Sequence, residues 1–388
     1  MRIVIYNPSY PPVRCGIGEY TRGLAQALAD AGHDVTVVTA TAAEGRPRGR
    51  PRVLALMRDW GVRDFMRTVP RVAWPRPNVV VTGFPAVMPG RYVRMLYLLP
   101  AFAKLMLGLP RTVYIVHEFV RAADRERNAL GLALRCADRI VAVTEHERAA
   151  IVARYPDVAG RVVVAPNPPT IPCVAEDPAG AARLRDELAG RDRPLLMFFG
   201  LLASPDKGFD DALDALALTG DGAVLAVTGE LDPARVPYHR ELLARIERHR
   251  LTERVRWLGH VADDEAARLL RAADAVLLPY RLGADGSYTS LLAAIANGAA
   301  VVTTRGAQNP DWLRDAETAL VVAPSDPRAL ADAVATLRAE PAAAARIRAG
   351  AAAVDLGWEA ISAAITGAPA RRIAWPRSSG GLLKRQER

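Results

Sequence analysis

The feature that most constrains this chain is a short unit that occurs twice. It consists of an apolar run, a glycine-bearing turn, an amphipathic helix and a second apolar run. The first copy takes residues 2–6, 7–18, 19–31 and 34–39, and the second takes residues 195–199, 200–208, 209–217 and 223–228. The runs are short, rich in Val, Ile and Leu, and do not alternate with polar residues. A parallel strand covered by helices on both faces requires that pattern. Parallel neighbours in turn require a crossover, and the helix supplies it. Between the copies, Pro166, Pro168, Pro169 and Pro172 break the chain. The expectation is α/β: two Rossmann-like, doubly wound domains facing a central cleft, over residues 1–166 and 167–366. A tail rich in Arg, Pro, Ser and Gly, residues 367–388, is expected to be disordered.

The stretch 273–306 carries the strongest chemical signal. Ala275–Leu278 reads as a buried strand, and residues 281–286 form a loop with Gly283, Asp285 and Gly286. Ser287 or Thr289 is expected to cap a helix whose apolar face is Leu291, Leu292 and Ile295, and Asn297-Gly298 is a helix-stop signal. The free amides and positive dipole end at such a helix start suit an anion such as a diphosphate. Lys207 precedes Gly208 at the turn into another helix, a sound place for a point charge on phosphate. Lys104, Lys207 and Lys384 are the only three lysines, so a lysine there carries information. His117 and Glu118 follow the run RTVYIV, at the carboxyl end of a strand, where ligands collect in open α/β sheets. Histidine can both donate and accept there.

The segment Ala294-Ile295-Ala296-Asn297-Gly298-Ala299-Ala300-Val301-Val302 resembles the Ala-Met-Ala-x-Gly-x-Pro-Val-Val signature of family 4 retaining glycosyltransferases, which have the GT-B fold. In that frame the family's Glu-x7-Glu falls on Asp285 and Ala293, one acid shortened and the other lost. The resemblance implies that Asp285 contacts the transferred sugar, while the donor ribose lacks its acidic clamp. A deoxyribose dTDP-sugar is one donor compatible with that loss. The family's Gly-Arg-Leu…Lys-Gly pattern, which clasps the donor diphosphate, keeps Lys207-Gly208 but has Leu201 at the arginine position; Arg281 is the expected substitute. The family's histidine at the strand end, facing the sugar, falls on His117, and its turn against the nucleotide base falls on Gly259-His260-Val261. Cys15 replaces the first glycine of a glycine pair in the first-domain loop.

The expected site therefore has His117 and Asp285 as catalytic residues. Donor contacts are expected from Gly16, Gly18, Lys207, Gly208, Glu230, His260, Val261, Gly286, Ser287, Tyr288 and Thr289, and acceptor contacts from Glu19 and Glu118. The implied activity is hexosyl transfer from a nucleotide-sugar, with the anomeric configuration retained. The acceptor would be a small molecule or lipid-linked, of the natural-product or bacterial cell-envelope kind. No metal and no cofactor beyond the nucleotide-diphosphate co-substrate are expected. The two departures, Leu201 and Ala293, keep open a second reading: a non-catalytic GT-B-like binding or partner subunit with a degenerate donor site.

Charge and composition narrow the rest. The net charge of +9 divides into +11 over residues 1–166, −7 over 167–366 and +5 over the tail. A basic first half suits a phosphate-bearing partner or an anionic membrane surface. Residues 92–107 are apolar with Arg94 and Lys104 alongside, and read as a core helix in preference to a membrane-surface one. There is no run of 18 apolar residues and no long apolar core at the N-terminus, so a cytoplasmic protein is expected, with peripheral contact at the inner membrane face. Three scattered cysteines, Cys15, Cys136 and Cys173, fit a reducing compartment. A nicotinamide dehydrogenase is disfavoured: Gly16-Ile17-Gly18 has Thr21 where a third glycine would sit, and the second strand ends at Thr39-Ala40 without an acid. A nucleic-acid binder is disfavoured too, because the basic residues lack interleaved aromatics.

Overall fold

A computed structural model describes residues 1–12, 16–40, 51–84, 93–175, 177–202, 204–220 and 222–368. The expectations for Cys15, for the arginine-rich loop around residues 46–50 and for the tail from 369 lie outside the described residues. The first lobe is a seven-stranded sheet of order β3-β2-β1-β4-β5-β6-β7. Its strands are β1 (Arg2–Tyr6), β2 (Asp34–Ala40), β3 (Arg52–Met57), β4 (Val79–Phe84), β5 (Arg111–Val116), β6 (Arg139–Ala142) and β7 (Val162–Val164). The second lobe is a six-stranded sheet of order β10-β9-β8-β11-β12-β13. It is built from β8 (Leu195–Phe199), β9 (Val224–Thr228), β10 (Val255–Gly259), β11 (Ala275–Leu278), β12 (Val301–Thr304) and β13 (Leu320–Val322). Every pairing within both sheets is parallel.

Burial explains why these strands read as unbroken apolar runs. Ile3 and Ile5 enter one core cluster, while Val4 and Tyr6, pointing the other way, enter another. Leu196 and Phe198 face one side of the second sheet and Met197 the other. Both faces of each sheet are dry, so period-two alternation is absent. In each lobe the strand order reverses beside the first strand, at β1/β4 and at β8/β11, which opens a crevice at the carboxyl ends.

Two elements were not expected from the sequence. β3 follows the arginine-rich segment and pairs with β2 at the sheet edge, where its residues are mostly only half-buried. Helix α4 (Asp124–Cys136) opens on a charged turn and buries Leu130, Ala133 and Leu134. The helices that matter for the site are α1 (Gly16–Asp30), α5 (Glu145–Arg154), α7 (Phe209–Leu218), α9 (Asp263–Ala272) and α10 (Thr289–Ala296). Helix α3 (Val93–Met106) buries Leu96, Leu99 and Ala103, as a core helix should, yet exposes Leu105 to 75%. No described helix is long and apolar enough to cross a membrane.

The last helix, α13 (Glu359–Thr366), leaves the second lobe and joins the first. Ile361 and Ile365 enter the core with Ile3, Leu24 and Val113. Arg111 donates to the Ile365 carbonyl and Arg139 to that of Ala364. Trp358 packs against Tyr20 at 5.5 Å between ring centres and presses on Gly23, where a Cβ would come within 2.3 Å of the indole. Only a glycine lets the returning chain approach α1 so closely.

Candidate active site

The second lobe builds its side of the cleft from two tight turns. After β8, Lys207 precedes Gly208, which is left-handed at φ 67° and opens α7. A Cβ on Gly208 would fall 1.9 Å from the Pro279 carbonyl oxygen, so glycine alone lets this turn press against the exit of β11. After β11, Tyr280 and Tyr288 stack with centres 4.2 Å apart, and the Tyr280 hydroxyl meets Ser290 Oγ at 2.7 Å. The Lys207 ammonium lies 4.3 Å from the centre of the Tyr288 ring and 5.3 Å from that of Tyr280. The lysine and the start of α10 therefore share one cleft. Desolvation, then the neighbouring Arg121, drives the Lys207 pKa down to about 8, against the pull of Glu118, Asp206 and Asp285.

Asp285 is 4% exposed. Its Oδ1 accepts the Ser287 amide at 2.8 Å, and its Oδ2 accepts Arg121 Nη2 at 3.1 Å. One expectation changes here. Neither Ser287 nor Thr289 caps α10: Tyr288 is the N-cap and makes no side-chain cap bond. The Ser287 amide is already engaged by Asp285, so the donors left to face the cleft are those of the first helical turn, Thr289 and Ser290, which have no acceptor within the helix. Arg281, named from the sequence as a substitute phosphate ligand, already has a partner. Its guanidinium is paired with the buried Asp210 of α7. Leu201, where the arginine was expected, is 62% exposed, and Ala293 is wholly buried in the core with Leu291, Leu292 and Ile295.

The first lobe faces this arrangement with its own strand ends. Gly16 and Gly18 lie in the first turn of α1, which begins three residues earlier than expected. A Cβ on Gly16 would touch the Thr289 side chain at 3.6 Å, so the starts of α1 and α10 oppose each other. His117 directly follows β5 and packs edge-on against Tyr20 at 4.7 Å. Burial pushes its imidazole down to about 4, with Asn167 alongside opposing the shift. At neutral pH His117 is uncharged, able to orient a hydroxyl but not to protonate it. Glu118 is an electrostatic neighbour of Lys207 across the cleft.

Two residues that no sequence pattern singles out complete the site. Arg121, from the loop after β5, reaches across to Asp285, bonds the Tyr288 hydroxyl and stacks on the Tyr288 ring at 4.5 Å. Glu147, in the first turn of α5, is buried and accepts the Val120 amide at 3.1 Å, fixing the loop that presents Arg121. Burial, with Asp285 nearby, raises its carboxyl to about 7. No local motif flags either side chain, because their partners are far away in the chain.

The remaining expected residues stand further out. Glu19 pairs with Arg22 at 2.8 Å, and Arg22 reaches Asp263 of α9 at 2.6 Å, a second bridge between the lobes. Glu230 and His260 are exposed at the ends of β9 and β10, where Gly229 and Gly259 bridge, and Val261 leans on the lobe's core. These strands lie two and three positions from β11, roughly 10 and 14 Å at the usual strand spacing. A Cβ on Gly286 would meet Pro310 at 3.3 Å and Thr144 of the first lobe at 3.4 Å.

Comparison with known proteins bears on both lobes. A family model described as Glycosyl transferase 4-like domain matches residues 15–168, and one described as Glycosyl transferases group 1 matches residues 193–340. Glycogen synthase of Mycobacterium tuberculosis is 26% identical, covering 94% of this chain and 93% of its own. Among solved structures, Anabaena HepE in complex with UDP-glucose superimposes with a TM-score of 0.76 at 20% identity, over 95% of this chain and 98% of that one. WaaG, a glycosyltransferase involved in lipopolysaccharide biosynthesis, gives 0.67 at 20% identity, over 94% and 100%. The two-lobed architecture is GT-B.

Proposed function

We propose that this chain, a glycosyltransferase of the GT-B fold, moves a hexosyl group from a nucleotide-diphosphate donor to a small-molecule or lipid-linked acceptor with retention of the anomeric configuration. The observation that carries the reading is the convergence of the Lys207 ammonium, the start of α10 and Asp285 on one side of a cleft, with His117 at a strand end of the other lobe. Charge develops on the leaving diphosphate as the glycosidic bond breaks. A cation and a helix N-terminus already aimed at that place stabilise it without reorganising. Neutral His117 and Asp285 orient the sugar, and binding both substrates in one cleft replaces a bimolecular encounter. The nucleoside would run from the diphosphate toward the ends of β9 and β10, past Glu230 and His260. The acceptor would enter from the basic first lobe near Glu19 and Glu118.

HepE was crystallised with UDP-glucose, which makes uridine donors the first to test here. Incubation with UDP-, ADP-, GDP- and dTDP-hexoses, with release of the nucleoside diphosphate as readout, should give turnover that Lys207→Ala removes. Proton NMR of the product should show an unchanged anomeric configuration; inversion would overturn retention. The losses at Leu201 and Ala293 favour a second reading, a binding subunit without transfer. Nucleotide binding without any turnover across acceptor pools would support it. The reading places the protein in the cytoplasm, with the outward Leu105 and Leu109 of the first lobe as its membrane contact. Sedimentation with anionic vesicles that Leu105→Ser leaves unchanged would remove that contact.

A further inference from the structure

We propose that Arg121 is the second cation of the diphosphate grip, delivered from the first lobe in place of the arginine missing at Leu201, and that the donor takes Arg121 away from Asp285 as it binds. The inference rests on the donor reading above. Its first support is position. Arg121 and Lys207 are held by the same ring, the guanidinium carbon at 4.5 Å and the ammonium at 4.3 Å from the centre of Tyr288. Two cations from opposite lobes thus converge beside the start of α10. Like charges so placed repel, and the neighbouring Arg121 is among the causes that disfavour the charged form of Lys207. A diphosphate between them would relieve that repulsion, and a planar guanidinium can bond two phosphate oxygens at once.

The second support is exclusion. Arg281 is committed to Asp210, and Leu201 points to solvent, so the second lobe offers Lys207 no cationic companion from either place. The third is the present partner of Arg121. Asp285 is the acid expected to hold the sugar, and Arg121 now occupies its Oδ2. Transfer of the guanidinium to phosphate frees that oxygen for a sugar hydroxyl. The grip and the exposure of the sugar ligand then become one event, and Glu147 contributes by holding the Val120 amide and with it the loop.

The test is calorimetric titration of the full-length protein with UDP, ADP, GDP and dTDP, following the tightest of them, alongside the parent nucleoside. Arg121→Ala should weaken the nucleoside diphosphate about 30-fold and leave the nucleoside within twofold. Leu201→Arg, placed on the other lobe, should recover most of the loss in the double variant, although it cannot rebuild the pair with Asp285. Asp285→Asn should tighten the nucleoside diphosphate severalfold in the wild-type background and not in Arg121→Ala, because the competitor for the guanidinium is weakened. An Arg121→Ala protein that binds the diphosphate within twofold of wild type, while Lys207→Ala does not, overturns the inference and leaves the donor reading standing. Equal losses for nucleoside and diphosphate would assign Arg121 to holding the lobes together and overturn it as well. Failure of wild type to bind any of the four would overturn both readings.

Discussion

Among the described residues two ion pairs bridge the lobes, and they make opposite use of the same chemistry. At the rim, Arg22 meets Asp263 with side chains 43% and 36% exposed. Inside the cleft, Arg121 meets Asp285 with side chains 31% and 6% exposed. Water screens the outer pair, so it is worth little more than thermal energy. Around the inner pair water is scarce: burial first, helped by Arg121, takes Lys207 down to about 8, and burial, helped by Asp285, takes Glu147 up to about 7. Burial, not the identity of the charges, separates a surface contact from a device that can answer to a ligand.

The contrast can be broken most directly at Lys207. Lys207→Ala should weaken nucleoside diphosphate binding at least 100-fold by calorimetry, whereas Arg22→Ala should change it less than twofold. Equal effects would dissolve the distinction between the two seams. The next largest effect is on stability. The folded pKa of Lys207, about 8, lies below its unfolded value, so the folded protein holds fewer protons between the two. The charged lysine therefore costs stability, fully below pH 8, and the cost is relieved as pH rises toward the unfolded pKa. Lys207→Met should raise unfolding stability at pH 7 by about 2 kcal/mol in a denaturant titration, the full shift being discounted for partial exposure.

A smaller effect is the pH profile of binding. Diphosphate affinity should fall up to tenfold per unit above about pH 8, as Lys207 loses its proton. Ionisation of Glu147 near 7 pushes the same way, by adding negative charge to the cleft. A profile flat from pH 6 to 9 would show that neither group faces the ligand. The smallest effect belongs to the rim: Arg22→Ala should cost no more than about 0.5 kcal/mol, and less in 0.5 M salt.

The legibility of the site follows the same division. Lys207, Gly208 and Asp285 could be read because each sits in a local pattern, a turn into a helix or a loop after a strand. The parallel strands were legible because burial on both faces makes continuous runs such as RTVYIV and AVLL. β3 escaped because an edge strand, half-buried, follows a polar arginine-rich segment and leaves a weak trace. Arg121 and Glu147 escaped for a different reason. One owes its place to a carboxylate 164 residues away, and the other to the amide of a loop 27 residues before it. Their meaning is written in tertiary proximity, which spacing along one chain does not encode. Arg281 illustrates the converse, a residue in the right loop whose charge is spent on Asp210.

The return of the chain through Trp358 and α13 means that the polypeptide runs between the lobes twice, once after β7 and once before α13. The indole of Trp358, seated on Gly23, anchors the second crossing to α1, so two passages of chain and not one tie together the lobes that carry Arg121 and Lys207.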